Sequence, residues 1–243
     1  MNLTREEQQQ AAYYAETAAA YEATHVHDDE HALGIRYMIH LLRMLGARTV
    51  LDVGSGTGRA IRALLDAGFE VTGIEPVKAL IDVGERSGVP AGVIREGRGQ
   101  ALPFTNGSFD AVCEFGVLHH VKKPNEIVQE MIRVSRFAVF LSDTNRFGRA
   151  SIPARLVKLA AWKSGLWPAF YFVWTRGKSC DISECDGIAY SYSVFDSYGL
   201  FDAWADHVLA IPIKVEGRRL RSWAHPLLTS SHVLLCALRD KMR

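Results

Sequence analysis

The chain has 243 residues, enough to bury a substantial core in one domain carrying an elaboration. Hydrophobic residues make up 48% and charged residues 23%, a composition that excludes a disordered or collagen-like chain. A net charge of +1 gives no basic excess for nucleic acid, and the polar start MNLTREEQQQ lacks the layout of a secretory leader, so a cytoplasmic location is expected.

Residues Leu3 to Leu45 read as two helices, with a run of alanines from Ala11 to Ala20 and then Ile35, Met38, Ile39, Leu42 and Leu45 at helical spacing. The polar stretch His25 to His31 separates them, and Gly46 ends the second. That stretch holds imidazoles and carboxylates that could ligate a metal, but Asp28 and Asp29 are equally placed to cap a helix, and no metal is expected.

From there strands and helices alternate. Thr49 to Val53, Glu70 to Ile74, Val93 and Ile94, Phe109 to Glu114 and Phe137 to Leu141 read as strands. Arg59 to Ala67, Val77 to Arg86 and Asn125 to Ser135 read as the helices between them, which predicts a doubly wound α/β sheet. Pro153 to Ser164 is helical in pattern and Trp162 to Trp174 is dense in aromatics. The run Leu166 to Trp174 contains Pro168 and falls far short of the ~20 residues that a membrane-spanning helix needs. His207 to Lys214 and Ser230 to Arg239 read as two antiparallel edge strands, making a seven-stranded, mostly parallel sheet with helices on both faces.

These elements predict one domain over 1–243: helices at 1–46, a core at 47–145, an insertion at 165–193 over the sheet's carboxyl edge, and closing strands at 206–239. Cys180 and Cys185, at C-x4-C spacing, do not supply the four ligands of a structural zinc site.

The chemistry concentrates in Val50-Leu51-Asp52-Val53-Gly54-Ser55-Gly56-Thr57-Gly58-Arg59, where an apolar strand runs into a glycine turn and then a helix. Glycine there permits left-handed backbone angles and close approach of a ligand to the main chain. The dinucleotide pattern G-x-G-x-x-G would need glycine at position 59, whereas the third glycine here is Gly58. Asp52 adds a negative charge that repels a pyrophosphate and attracts a sulfonium with an α-ammonium group.

VLDVGSGTGR resembles the first motif of class I S-adenosylmethionine (SAM)-dependent methyltransferases, and the resemblance extends over roughly Tyr13 to Asn145. It implies SAM as cofactor, with Asp52, Gly54, Ser55, Gly56 and Gly58 around its methionine end. Glu75 lies 21 residues after Gly54 and is followed by Pro76. By the resemblance its two oxygens take the ribose hydroxyls, a pairing that a carboxylate suits. The segment GRGQALPF, Gly97 to Phe104, resembles the family's adenine-side loop, which implies contacts from Gly99 and Gln100. Arg98 departs from the pattern, because arginine can only donate where the family has an acceptor for the adenine amine. Phe115-Gly116-Val117-Leu118-His119-His120-Val121 resembles the loop passing the methionine portion, and Tyr13, Tyr14 and Tyr21 resemble a helix that closes over the cofactor. Glu130 and Arg133-Val134 resemble the helix that follows, without the usual proline–glycine turn.

Methyl transfer is an in-line displacement that needs alignment first, and a base only when the acceptor must lose a proton. His119, His120 and Asp143 are the candidate bases. The aromatics Trp162, Trp167, Phe170, Tyr171, Phe172 and Trp174 could wall an apolar or aromatic acceptor or equally form the insertion's own core, and Arg176 and Lys178 could hold an anionic group or lie in a solvated loop. The expected partner is a small-molecule acceptor, not nucleic acid, on a monomer or homodimer. Two alternatives stay open: a SAM-binding regulator or partner subunit without catalysis, and an NAD-dependent oxidoreductase.

Overall fold

The computed structural model describes residues 5–25, 29–178, 180–183, 187–215 and 224–240. Helices α1 (Arg5–His25) and α2 (Asp29–Met44) precede β1 (Thr49–Val53), α3 (Arg59–Asp66), β2 (Glu70–Glu75), α4 (Lys78–Arg86) and β3 (Ile94–Glu96). Then come β4 (Phe109–Phe115), α5 (Pro124–Val134), β5 (Ser135–Thr144), α6 (Ile152–Lys163), α7 (Trp167–Trp174), β6 (Cys180–Ser183) and β7 (Gly187–Tyr190). The last elements are α8 (Tyr198–Trp204), β8 (His207–Lys214) and β9 (His232–Leu238).

Seven strands form one sheet in the order β3-β2-β1-β4-β5-β9-β8, parallel from β3 to β5, with β9 and β8 antiparallel. Alternate residues of the central strands face opposite layers. Leu51, Val112, Val139 and Leu141 pack beneath Ile127, Met131 and Val134 of α5 and Phe201 of α8. Val50, Cys113, Ala138 and Phe140 pack beneath Met38 and Leu42 of α2 and Leu64 of α3. Both faces of the parallel strands are therefore covered, which is why those strands read as continuous apolar runs. The doubly wound seven-stranded sheet is as the sequence predicts.

Three local features differ from the prediction. Helix α5 passes directly into β5 at Ser135, whose hydroxyl donates to the Ala138 carbonyl and accepts from its N–H. A side chain thus does the work of the absent proline–glycine turn. The aromatic segment is a second helix, α7, packed on α6, and the following polar stretch forms the hairpin β6–β7. Cys185 lies outside the described residues, as do positions 26–28 of the polar link. Among the described residues no helix is long and apolar enough to cross a membrane.

Candidate cofactor and acceptor site

Strand order reverses between β1 and β4: from β1 the chain winds outward through β2 and β3, then returns to place β4 on the other side. The loops leaving the carboxyl ends of β1 and β4 consequently diverge to opposite faces and open a crevice, the usual ligand position in such sheets. Here they are the glycine loop and the segment Phe115 to Val121. Gly54, Gly56, Glu75, Pro76, Arg98, Gly99, Gln100, Phe115, Gly116, Val117 and His120 line one cavity, closed on its outer side by Gln10, Ala11 and Tyr14 of α1. The open space is about 950 Å³ including its mouth to solvent, within the usual range for a small-molecule site.

The three loop glycines have different jobs. Gly54, Gly56 and Gly58 have φ of 72°, 54° and 78°, the left-handed region that favours glycine. A Cβ on Gly54 would meet Val117 Cγ2 at 2.5 Å, and one on Gly58 would meet Val89 Cγ2 at 2.6 Å, so both positions are close-packed. A Cβ on Gly56 would meet nothing within 4 Å, because it faces the cavity. Gly56→Ala is expected to cost only about 1–2 kcal/mol of backbone strain, a melting shift of roughly 2–8 °C for a chain of this size. Its methyl group projects into ligand space, so cofactor affinity should fall by about tenfold or more. A calorimetric titration and a thermal melt on the same sample check this; unchanged affinity would count against a ligand at the loop.

Glu75 ends β2 beneath the loop. Its Oε2 accepts the Gly56 N–H at 2.9 Å and its Oε1 accepts the Val77 N–H at 3.0 Å. Burial pushes the carboxyl up to about 7, against the lowering effect of those two amides. Each oxygen retains a second lone pair, so the carboxylate can also accept two hydroxyls. Asp52 lies behind the loop, buried and off the cavity wall, with Cys113 Sγ 3.7 Å from its Oδ1. Burial raises it to about 7, the Cys113 thiol lowers it, and the charge of Glu75 raises it further. Ser55 also faces inward, its hydroxyl donating to the Ile74 carbonyl at 3.3 Å.

Beyond the glycine loop, the segment from Gly97 to Phe104 is fixed by α5. Glu130 Oε2 accepts the Leu102 N–H at 2.9 Å, while Arg133 donates to the carbonyls of Leu102 and Phe104 at 3.0 and 2.7 Å. Glu130 and Arg133 also pair with each other at 2.6 Å, so one buttress holds both ends of the turn. This gives the E-x-x-R pattern a physical role in the site.

At the acceptor edge, the fully buried Asp143 at the end of β5 holds the turn after β4. Its Oδ2 accepts the N–H groups of Leu118 and His119 at 2.9 and 3.2 Å, and its Oδ1 lies 2.7 Å from His119 Nδ1. That geometry selects the tautomer with Nδ1 protonated and directs the lone pair to Nε2. Burial alone would raise Asp143, but the His119 ring and its hydrogen bond bring it down to about 2. Glu114, also buried, is raised well above its ordinary value by burial and by the charge of Asp143, so of the two carboxyls Asp143 is the one that ionises more readily.

His120 does something else. Its Nδ1 donates to the Ile188 carbonyl at 2.6 Å and its Nε2 accepts from the Tyr14 hydroxyl at 3.0 Å. Gln10 Oε1 accepts the Ile188 N–H at 2.7 Å. His120 thereby ties the lid helix α1 and the hairpin strand β7 to the cavity rim.

The fold brings Gly54, Gly56, Glu75, Pro76, Gly99, Gln100, Phe115 and His120, all expected from the sequence, together on the cavity wall. Asp52, Ser55 and Gly58, expected beside them, pack behind that wall. The side chain of Tyr21 is outside what the structure describes. Gln10, Leu80 and Ile127 line the cavity without any local motif to announce them. The aromatics of 162–174 do not line it: Trp167 stacks with Phe170, Tyr171 and the Arg146 guanidinium, and Phe172 and Trp174 point to solvent.

Residues 51–137 match the family described as a methyltransferase domain. A methyltransferase of Mycolicibacterium gilvum is 40% identical over 94 residues, 36% of this chain and 35% of that protein. A demethylmenaquinone methyltransferase of Renibacterium salmoninarum is 29% identical over 140 residues, 56% of this chain and 57% of that one. The chain thus spans from about a third to somewhat over half the length of these curated relatives. Among solved structures, a SAM-dependent methyltransferase from Thermotoga maritima superposes with a TM-score of 0.59 at 14% identity, covering 95% of this chain and all of that one. A chain from the complex of the Haloferax volcanii Trm112 methyltransferase activator with a methyltransferase gives 0.60 at 15% identity, covering 96% and 98%. At such identities the likeness is one of fold.

Proposed function

From the match of residues 51–137 to a methyltransferase domain and the fold shared with a SAM-dependent methyltransferase, we propose that the protein transfers a methyl group from SAM to a small-molecule acceptor. The observation carrying this is Gly56, with open space where its side chain would be, set directly over the buried carboxylate of Glu75. When bound, SAM supplies a methyl already activated by a positive sulfur. The residues present fit it. Glu75 is placed to take the ribose hydroxyls, Gly99 and Gln100 to border the adenine, and Gly54, Gly56 and Phe115 to hold the methionine end. Asp52, one layer back, contributes negative potential toward a cationic ligand.

His119 is the proposed base for an acceptor that must lose a proton. Asp143 orients its ring, and that ring lies 3.9 Å, centre to centre, from the ring of cavity-lining His120. His120 and Tyr14 hold α1 against the cavity rim, which narrows the opening to solvent. The relation to a demethylmenaquinone methyltransferase supports a small-molecule acceptor.

Calorimetric titrations with SAM and with NAD, followed by incubation with methyl-labelled SAM and a metabolite extract, test the reading. SAM binding and label in a small product are expected. Binding of NAD alone would overturn the cofactor assignment, and SAM binding without labelled product would make the protein a binder.

A further inference from the structure

The segment from Arg146 to Lys178 contains no aspartate or glutamate, yet holds Lys or Arg at positions 146, 149, 155, 158, 163, 176 and 178. The rest of the chain is correspondingly acidic, since the whole carries only +1. Arg146 is buried and pairs with Asp196, while Arg149, Lys163, Arg176 and Lys178 are exposed.

The same segment carries the most exposed apolar side chains of the described residues after Met44. Neither α6 nor α7 has a single buried residue. Val173 and Trp174 are 77% and 72% exposed, and Ile152, Leu156, Leu166 and Phe172 are also more than half exposed. The inner aromatics of α7 are already engaged by one another and by Arg146, so the exposed ones are not a displaced core. A cluster of this kind, rimmed by cations, marks an interaction surface.

We propose that the α6–α7 pair docks on an anionic lipid bilayer, lying in the plane of the headgroups. Helices of 12 and 8 residues cannot span, but exposed aromatic and aliphatic side chains with basic neighbours can seat at the interface. Tryptophan favours that depth, and exposed Lys and Arg are drawn to anionic headgroups. The charge decides between occupants. A second copy of this chain, packed symmetrically on the same surface, would bring two acid-free basic segments together, whereas an anionic bilayer complements them. Because α6 follows β5, docking would turn the carboxyl edge of the sheet toward the membrane. The inference stands independently of methyl transfer.

The test is cosedimentation of the full chain with phosphatidylcholine vesicles, with and without roughly a quarter phosphatidylglycerol. Partitioning is expected to be about tenfold or more stronger to the anionic vesicles and to weaken in about 0.5 M salt. The triple variant Phe172→Ser, Val173→Ser, Trp174→Ser and the double variant Arg176→Glu, Lys178→Glu should each abolish it. These side chains are exposed and off the cavity, so melting temperature and SAM affinity should stay at wild-type values and report an intact fold. No sedimentation with either vesicle, or sedimentation unaffected by both variants, would overturn the proposal. So would a light-scattering dimer that the triple variant dissolves, which would assign the patch to a second copy.

Discussion

Replacing Asp143 by asparagine is expected to lower the melting temperature by about 5–10 °C and to slow methyl transfer by about a hundredfold or more, with SAM affinity essentially retained. The carboxylate is fully buried and receives two main-chain N–H groups and the His119 ring. Asparagine keeps the volume but offers one acceptor oxygen and turns an amide donor toward other donors. Hydrogen bonds to a charged group contribute about 1.5–3 kcal/mol, and losing one such set accounts for the melting shift. The rate should fall because His119 loses the partner that fixes its tautomer.

Acid unfolding supplies a second signature. A carboxyl held at about 2 contributes stability that is fully present above its unfolded value of roughly 4 and is lost as pH falls from there toward 2. That contribution is about 2 kcal/mol, so denaturant titrations at the two ends of this window should show wild type losing more stability than Asp143→Asn. Equal acid sensitivity would remove Asp143 from its ionised role. Single-turnover labelling separates the rate effect from binding.

Glu75→Gln should weaken SAM binding by about 10–100-fold, because one of two hydroxyl acceptors is lost along with the charge. In the wild type, burial raises both Glu75 and Asp52 to about 7. A carboxyl raised in the fold keeps a proton that the unfolded chain has released. Folded stability should therefore decline as pH rises from about 4 through 7 on account of these two groups. Cofactor binding runs the other way, since the ionised forms face a cation and hydroxyl donors. Affinity is expected to climb by up to about tenfold per pH unit on the acid side of 7 and then level off. Calorimetry from pH 5.5 to 8.5 (roughly one and a half units either side of 7) would show it, with a flatter slope in Glu75→Gln. A flat wild-type profile would mean that neither carboxylate ionises toward the ligand.

What the sequence made legible was local. The β1 turn, its glycines and Glu75 lie within 26 residues, and an apolar strand followed by glycine has few other folds available. The doubly wound, mostly parallel sheet followed from alternation of strand and helix with right-handed crossovers, while its strand order is seen only in the structure. What was not legible depends on contacts far apart in the chain. Tyr14 and His120 are 106 positions apart, and Gln10 reaches Ile188 across 178; no spacing rule connects them. Asp52 was placed at the ligand because its position along the motif was readable, while the strand's alternation turned its side chain to the layer behind. The α7 segment is apolar on all sides, so helical periodicity could not show which face is inward or decide between an acceptor wall and the insertion's own core; its aromatics are absent from the cavity wall.

The placement of β9 bears on how the molecule comes into being. Residues 232–238 lie between β5 and β8, although 87 residues of chain separate the end of β5 from the start of β9. Until that strand emerges from the ribosome, β5 presents the bare edge of Phe137–Leu141, a run of apolar residues with unpaired amides and carbonyls. Asp143 is on that same edge strand, paired across to Val233. Until β9 pairs with it, that edge is open to pairing with other strands, so folding of the sheet waits on a segment distant in sequence. The edge that carries Asp143 is then the last part of the parallel core to gain its neighbour.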